Sequence, residues 1–115
     1  MVVIALLTLD IHIPHAQSLK EKRMVLRRIK DRVANKFNCA IAEVGDQDEW
    51  QSAQLGYAVV SNEHGFTQAM VQKVLQFIED LAVAKITDDE QDYMNYGDAD
   101  LDEARDPRHW EPEED

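Results

Sequence analysis

The chain has 115 residues, with 12 Lys and Arg against 23 Asp and Glu, for a formal net charge of −11. The excess sits at one end: residues 1–87 carry ten basic and ten acidic side chains, residues 88–115 two and thirteen. This excludes a uniformly acidic body, the length excludes two full domains at roughly 100–200 residues each, and the single cysteine, Cys39, excludes an intramolecular disulfide or a cysteine zinc site.

Residues 2–13 alternate, with Val3, Ala5, Leu7, Leu9, Ile11 and Ile13 on one face and Val2, Ile4, Leu6, Thr8, Asp10 and His12 on the other. A period of two over this length predicts a strand, closed by Pro14. The apolar start has no basic run before it and passes into Asp10 and His12, so it reads as strand rather than leader. No stretch approaches the roughly 18 apolar residues of a membrane span, and the expected location is cytoplasmic, with no membrane partner.

Ser18-Leu19-Lys20-Glu21 has capping-box spacing, in which hydroxyl and carboxylate satisfy each other's backbone donors, and it predicts a helix start. Leu19, Val25, Leu26, Ile29, Val33 and Phe37 then form one apolar stripe, and Asn38 is a stop. Residues 39–44 read as a second strand in which Cys39 is a small buried residue. A polar loop, 45–52, leads to a third strand, Ala53–Ser61, antiparallel to the second because no helix intervenes. Asn62 to Gly65 is a turn or cap. Residues 66–81 are a second amphipathic helix, with Phe66, Met70, Val71, Val74, Leu75, Phe77, Ile78 and Leu81 inward. A last strand is expected within Val83–Thr87, with an extension into the acidic run left open, and the run from Asp88 onward, with Pro107 and Pro112, is expected to be a mostly disordered tail, 88–115.

The order strand, helix, strand, strand, helix, strand matches the split βαβ arrangement. The expected fold is a ferredoxin-like βαββαβ sandwich over 1–87, of class α+β, with a four-stranded antiparallel sheet and both helices on one face. Strands one and three would lie centrally, leaving a bare sheet face that includes Val2, Ile4 and Leu6.

Chemistry-bearing residues are sparse. Asp10, His12 and His15 lie close in sequence, but no further His or Cys completes a metal site, and His64 reads as a turn residue. Asp46-x-Asp48 lacks the ligand alternation and glycine of a calcium loop. No phosphate loop or nucleophile elbow occurs. The reading is therefore a non-enzymatic protein with no cofactor, metal or small-molecule substrate.

The first helix is lopsided in charge: Lys20, Lys22, Arg23, Arg27, Arg28, Lys30, Arg32 and Lys36 face only Glu21 and Asp31. Lys20, Arg23, Arg27 and Lys30 fall on one flank of the apolar stripe, and Arg28, Arg32 and Lys36 on the other. Three explanations are open: a polyanion such as RNA, the chain's own acidic tail, or a solvated charged face. The third strand, Leu55-Gly56-Tyr57-Ala58-Val59-Val60-Ser61-Asn62, shares Gly-aromatic-Ala with the RNA recognition motif but lacks its stacking aromatics, so base reading on the sheet is not expected.

Ser18-Leu19-Lys20-Glu21-Lys22-Arg23, Ala42-Glu43-Val44-Gly45-Asp46-Gln47-Asp48-x-Trp50-Gln51 and Gly56-x-Ala58-Val59-Val60-Ser61-Asn62 together resemble the YlxP-like family of small bacterial proteins of unknown function, over about residues 2–87. The resemblance implies a ferredoxin-like sandwich and a setting beside the translation and ribosome-maturation machinery, and it assigns no catalytic residue. It draws attention to Glu43, Asp46, Gln47, Asp48 and Trp50 as a loop-centred partner patch, with Trp50 either a partner anchor or a plug into the core. The expectation is association with ribosomal RNA or a ribosome-assembly factor through the first helix. The alternative is a homo-oligomer or adaptor using the bare sheet face and the Trp50 loop.

Overall fold

The computed structural model describes residues 1–97. Its elements are β1 (Val2–His12), α1 (Leu19–Lys36), β2 (Ala40–Gly45), β3 (Ser52–Ser61), α2 (His64–Leu81) and β4 (Lys85–Tyr96). The sheet order is β2-β3-β1-β4, and every neighbouring pair is antiparallel. This is the ferredoxin-like βαββαβ arrangement, with β1 and β3 central as the element order predicts.

Alternation in β1 decides which face the helices cover. Val3, Ala5, Leu7, Leu9 and Ile11 are buried, and the last four meet Ala53, Leu55, Tyr57 and Val59 of β3 in one core with Leu26, Ile29 and Val33 of α1 and Val71, Val74 and Ile78 of α2. Each large aliphatic so enclosed contributes roughly 1.5–3 kcal/mol relative to exposure. On the uncovered face Val2 and Ile4 are half-buried and Leu6 is exposed. The register sets Ile4 between Val60 and Met94, and Val2 beside Tyr96. The far end of this face is polar: Asp10 lies between Gln54 and Asp88, Thr8 faces Glu90, and Leu6 faces Asp92.

The cap of α1 forms with one change. Ser18 Oγ accepts from Glu21 N at 3.1 Å, but Glu21 Oε1 accepts from Gln17 N at 2.7 Å, one residue before the expected partner. Helix α2 starts at His64, capped by Glu63, whose Oε1 accepts from Phe66 N at 2.6 Å. Phe66, expected in the core, is 55% exposed. The buried line is Thr67, Val71, Val74 and Ile78, and Phe66 projects roughly 100° round the helix from Thr67. Thr67 hides its hydroxyl 2.5 Å from Ser61 Oγ and 3.0 Å from the Glu63 carbonyl.

The largest departure concerns the acidic run. Instead of ending near Thr87, β4 continues through Asp88, Asp89, Glu90 and Asp92 to Tyr96, so the boundary expected after residue 87 is displaced. Composition suggested disorder, but a full-length neighbour, β1, supplies the hydrogen-bond ladder, while Ile86 and Tyr93 pack on the core. The carboxylates reach solvent because β4 is an edge strand. A register shift at Asp10/Ile11 accommodates Thr87, whose hydroxyl donates to the Asp10 carbonyl at 3.1 Å. The remainder of the expected tail, 98–115, lies outside the described residues.

Candidate functional site

Helix α1 buries the line Lys22, Leu26, Ile29 and Val33, which leaves its cations on either side. Lys20, Arg23, Arg27, Arg28, Arg32 and Lys36 are exposed, and Lys30 is half-buried. Among the described residues the salt bridge is Lys22–Glu43, and none of these seven side chains forms one. Arg23, Arg27 and Lys30 line a cleft of about 440 Å3 with Leu26, Asp31 and Glu43, where α1 overhangs the edge strand β2. The opposite flank meets α2: Lys36 Nζ lies 5.9 Å from the Phe37 ring centroid and 5.4 Å from that of Phe77. The two rings meet edge to face at 5.5 Å.

The residue that sequence reasoning missed is Lys22. The sequence counts it among the eight basic residues of the helix and sets it on neither flank of the apolar stripe; it stands 1% exposed, which is rare for lysine. Its position, four residues before Leu26 and seven before Ile29, puts it on the core-facing line, which is the signal that would have found it. Inside, Nζ donates to the Asp46 carbonyl, to the Glu49 carbonyl at 2.7 Å, and pairs with Glu43 Oε2 at 3.2 Å. The ammonium thus donates hydrogen bonds to two carbonyls and holds the buried carboxylate oxygen by charge alone.

That ammonium shapes the loop after β2. Asp46 adopts a left-handed φ of 58°, and Glu49 N closes the turn onto the Asp46 carbonyl at 3.1 Å. Gln51 Nε2 donates to the carbonyls of Ala16 at 3.0 Å and Pro14 at 3.2 Å, tying the far end of the loop to the β1–α1 connection. Asp46, Gln47, Asp48 and Trp50 are exposed, as a partner patch requires. Trp50, at 54% exposure, is no plug into the core. Glu43 does not belong to the patch: it pairs in register with Leu55, so it faces the helices, and Lys22 holds it there.

The other candidates separate. Asp10 and His12 lie on the uncovered face, opposite to Glu43, and Asp10 Oδ1 accepts from Gln54 Nε2 at 3.0 Å. His64 opens α2, with its ring 5.1 Å from that of Tyr93. Cys39 is half-buried just before β2 rather than enclosed within a strand, and burial pushes its thiol pKa up, which favours the unreactive thiol. No group of three or more His, Cys, Asp or Glu among the described residues is placed to hold a metal, and no described helix is long and apolar enough to cross a membrane.

Helix α1 carries the seven cations that are unbridged among the described residues, against Glu21 and Asp31 on the same helix, and the uncovered sheet face carries Asp10, Asp88, Glu90 and Asp92. Phosphate is attracted to the first and repelled by the second.

Comparison with known proteins agrees with the expected family. The family described as "Protein of unknown function (DUF503)" matches residues 4–91. The chain belongs to this family. Uncharacterized protein YlxP of Bacillus subtilis (strain 168) is 53% identical over 64 residues, covering 56% of this chain and 70% of that protein. Among solved structures, the de novo designed protein Foldit4 superposes with a TM-score of 0.50 at 11% identity, over 84% of this chain and all of that one. A designed ferredoxin-fold protein, LFR1 1, gives a TM-score of 0.49 at 14% identity, covering 86% and 90% of the two chains. For this DUF503 member the likeness to Foldit4 shows the fold alone.

Proposed function

We propose that the protein is a non-enzymatic, cytoplasmic RNA-binding protein that contacts ribosomal RNA or a ribosome-assembly intermediate through the cations of α1. The observation that carries this reading is that seven basic side chains on one helix have no ion-pair partner among the described residues. Arg23/Arg27, Arg28/Arg32 and Arg32/Lys36 stand four apart, and each such like-charge pair costs an isolated helix about 0.2–0.5 kcal/mol. An external polyanion offsets that cost and releases counterions as it binds. Arg23, Arg27 and Lys30 line one cleft between α1 and β2, together with Asp31 and Glu43. The ribosomal identity of the RNA rests on the family resemblance. Phosphate contacts of this kind position an RNA without reading its sequence, in keeping with a sheet face that offers acids where the RNA recognition motif offers aromatics.

The test is binding of the full chain to ribosomal particles and to ribosomal RNA fragments across a salt series. The logarithm of affinity should fall linearly with that of salt, and Arg23→Glu with Arg27→Glu should flatten the slope by about 2 and weaken binding uniformly across RNA sequences. Absence of binding at low salt, or indifference to the double substitution in a variant with unchanged melting temperature, overturns the proposal.

A second reading, an adaptor or homo-oligomer using the uncovered face and the Trp50 loop, is favoured by the exposure of Leu6, Val60, Met94 and Trp50. Loss of a copurifying protein on Leu6→Glu or Trp50→Ala, with RNA binding intact, would select it.

A further inference from the structure

Leu6 divides the uncovered sheet face lengthwise. On one side a groove of about 410 Å3 runs between Leu6 and the small outward residues of β2 and β3, Ala40, Ala42, Gly56 and Ala58. The groove is open because these side chains are small: a Cβ at Gly56 would stand 3.1 Å from Val44 Cγ1. On the other side a hollow of about 470 Å3 is lined by Leu6 and Thr8 together with Glu90 and Asp92. The register sets Leu6 between Ala58 and Asp92, and Thr8 between Gly56 and Glu90, so an apolar and an acidic hollow run side by side. Leu6, Val60 and Met94 stand 42%, 59% and 41% exposed on the same face. Contiguous apolar surface with a polar rim marks an interaction site.

The charge of this face selects what can cover it. Asp88, Glu90 and Asp92 are exposed and Asp10 is half-buried, with Lys85 only at the far end, opposite His12. Phosphate is repelled. A second copy laid face to face brings the same charges, so carboxylates would be buried against aliphatic side chains or against each other. A wholly apolar partner would strip their water and replace it with nothing. A segment that sets apolar side chains beside cations meets both halves at once. A helix has the right width, about 10–12 Å with side chains, against about 14 Å between the outer strands of a four-stranded sheet. Helix α1 of another copy does not qualify, because its apolar stripe is already buried in its own core.

We propose that the uncovered face docks a basic amphipathic helix of a partner protein. Its apolar stripe sits on Leu6 and in the groove over Gly56 and Ala58, and its lysines or arginines lie along Glu90 and Asp92. Such docking rests on the adaptor reading, to which it gives a partner of stated chemistry. It uses the layer opposite to α1 and is separable from RNA binding.

Fluorescence anisotropy of the full chain with three labelled synthetic peptides tests this. The first repeats leucine at i, i+3, i+4 and i+7 with lysine between, the second has glutamate for lysine, and the third keeps the composition of the first with its period scrambled. The first should bind at least about tenfold tighter than either control. Leu6→Glu should weaken that binding by about tenfold or more, whereas attraction by charge alone would be strengthened by the added carboxylate. Glu90→Lys with Asp92→Lys, both at exposed positions, should turn the preference toward the glutamate peptide, and it decides the matter if Leu6→Glu does not fold. Equal affinity for the first and the scrambled peptide, or parent-like binding by Leu6→Glu, overturns the proposal. So does a copurifying protein that is lost in Leu6→Glu when no peptide binds the parent, in which case the adaptor reading stands with a partner of other chemistry. A parent dimer that sedimentation shows to be abolished by Leu6→Glu would assign the face to a second copy and overturn it too.

Discussion

Replacing Lys22 by methionine keeps the volume of the stem and removes the ammonium. The Asp46 and Glu49 carbonyls then lose their donor, and Glu43 Oε2, an oxygen shielded from solvent, loses its ion-pair partner. Breaking a fully buried ion pair from one side costs about 3–5 kcal/mol, because it leaves an uncompensated charge in low dielectric. Two features reduce that figure. The Glu43 side chain is 19% exposed, so water and salt screen part of its charge, and the two carbonyls belong to a surface loop where water can replace the lost donor. A destabilisation of about 3 kcal/mol follows, equivalent to a fall in melting temperature of about 12–24 °C for a domain of this size. Urea unfolding followed by circular dichroism measures it directly. Lys22→Met with Glu43→Leu should recover most of the loss, since an apolar pair can replace a buried ion pair at little cost. A single variant that loses less than about 1 kcal/mol, or a double variant no better than the single, would refute the assignment of Lys22 as the link between α1 and the loop.

Two further substitutions probe backbone and burial. Ala82 caps α2 with φ 58° and ψ 25°, a left-handed conformation that glycine adopts freely, so Ala82→Gly should stabilise the chain by about 0.5–1 kcal/mol in urea unfolding despite glycine's greater freedom when unfolded. A destabilised glycine variant would show that the methyl group earns its place by packing. Tyr57 is 3% exposed, with its hydroxyl donating to the Val71 carbonyl at 3.3 Å, and burial pushes its ionisation far above the ordinary value of 10.0. The unfolded chain therefore loses this proton first. The stabilisation is complete below pH 10 and falls as pH rises above it, by about 1.4 kcal/mol per pH unit from this group. Tyr57→Phe should show a correspondingly shallower loss of stability in alkali, and equal slopes in both chains would contradict the assignment.

Much of this molecule is written in local pattern. The alternation from Val2 to Ile13 specifies β1 and its buried face, Ser18 and Glu21 mark where α1 begins, and the spacing of Leu26, Ile29 and Val33 sets the side that it buries. These features depend on neighbours a few residues away, and so does the lopsided charge of α1. The residues that a one-dimensional pattern misplaces owe their positions to distant parts of the chain. Lys22 can be interior only because β2 and the loop beyond it bring a carboxylate and two carbonyls to its ammonium, across sequence separations of 24 and 27 for the carbonyls. Asp88 to Tyr96 become a strand because the central strand β1 offers them a ladder, overriding a composition that suits solvent. Trp50 stands outside since the loop is fixed from both ends by Lys22 and Gln51. Periodicity reports which face of an element is apolar. Which buried polar group finds its partners, and which strand is left with an open edge, is settled only when the elements pack.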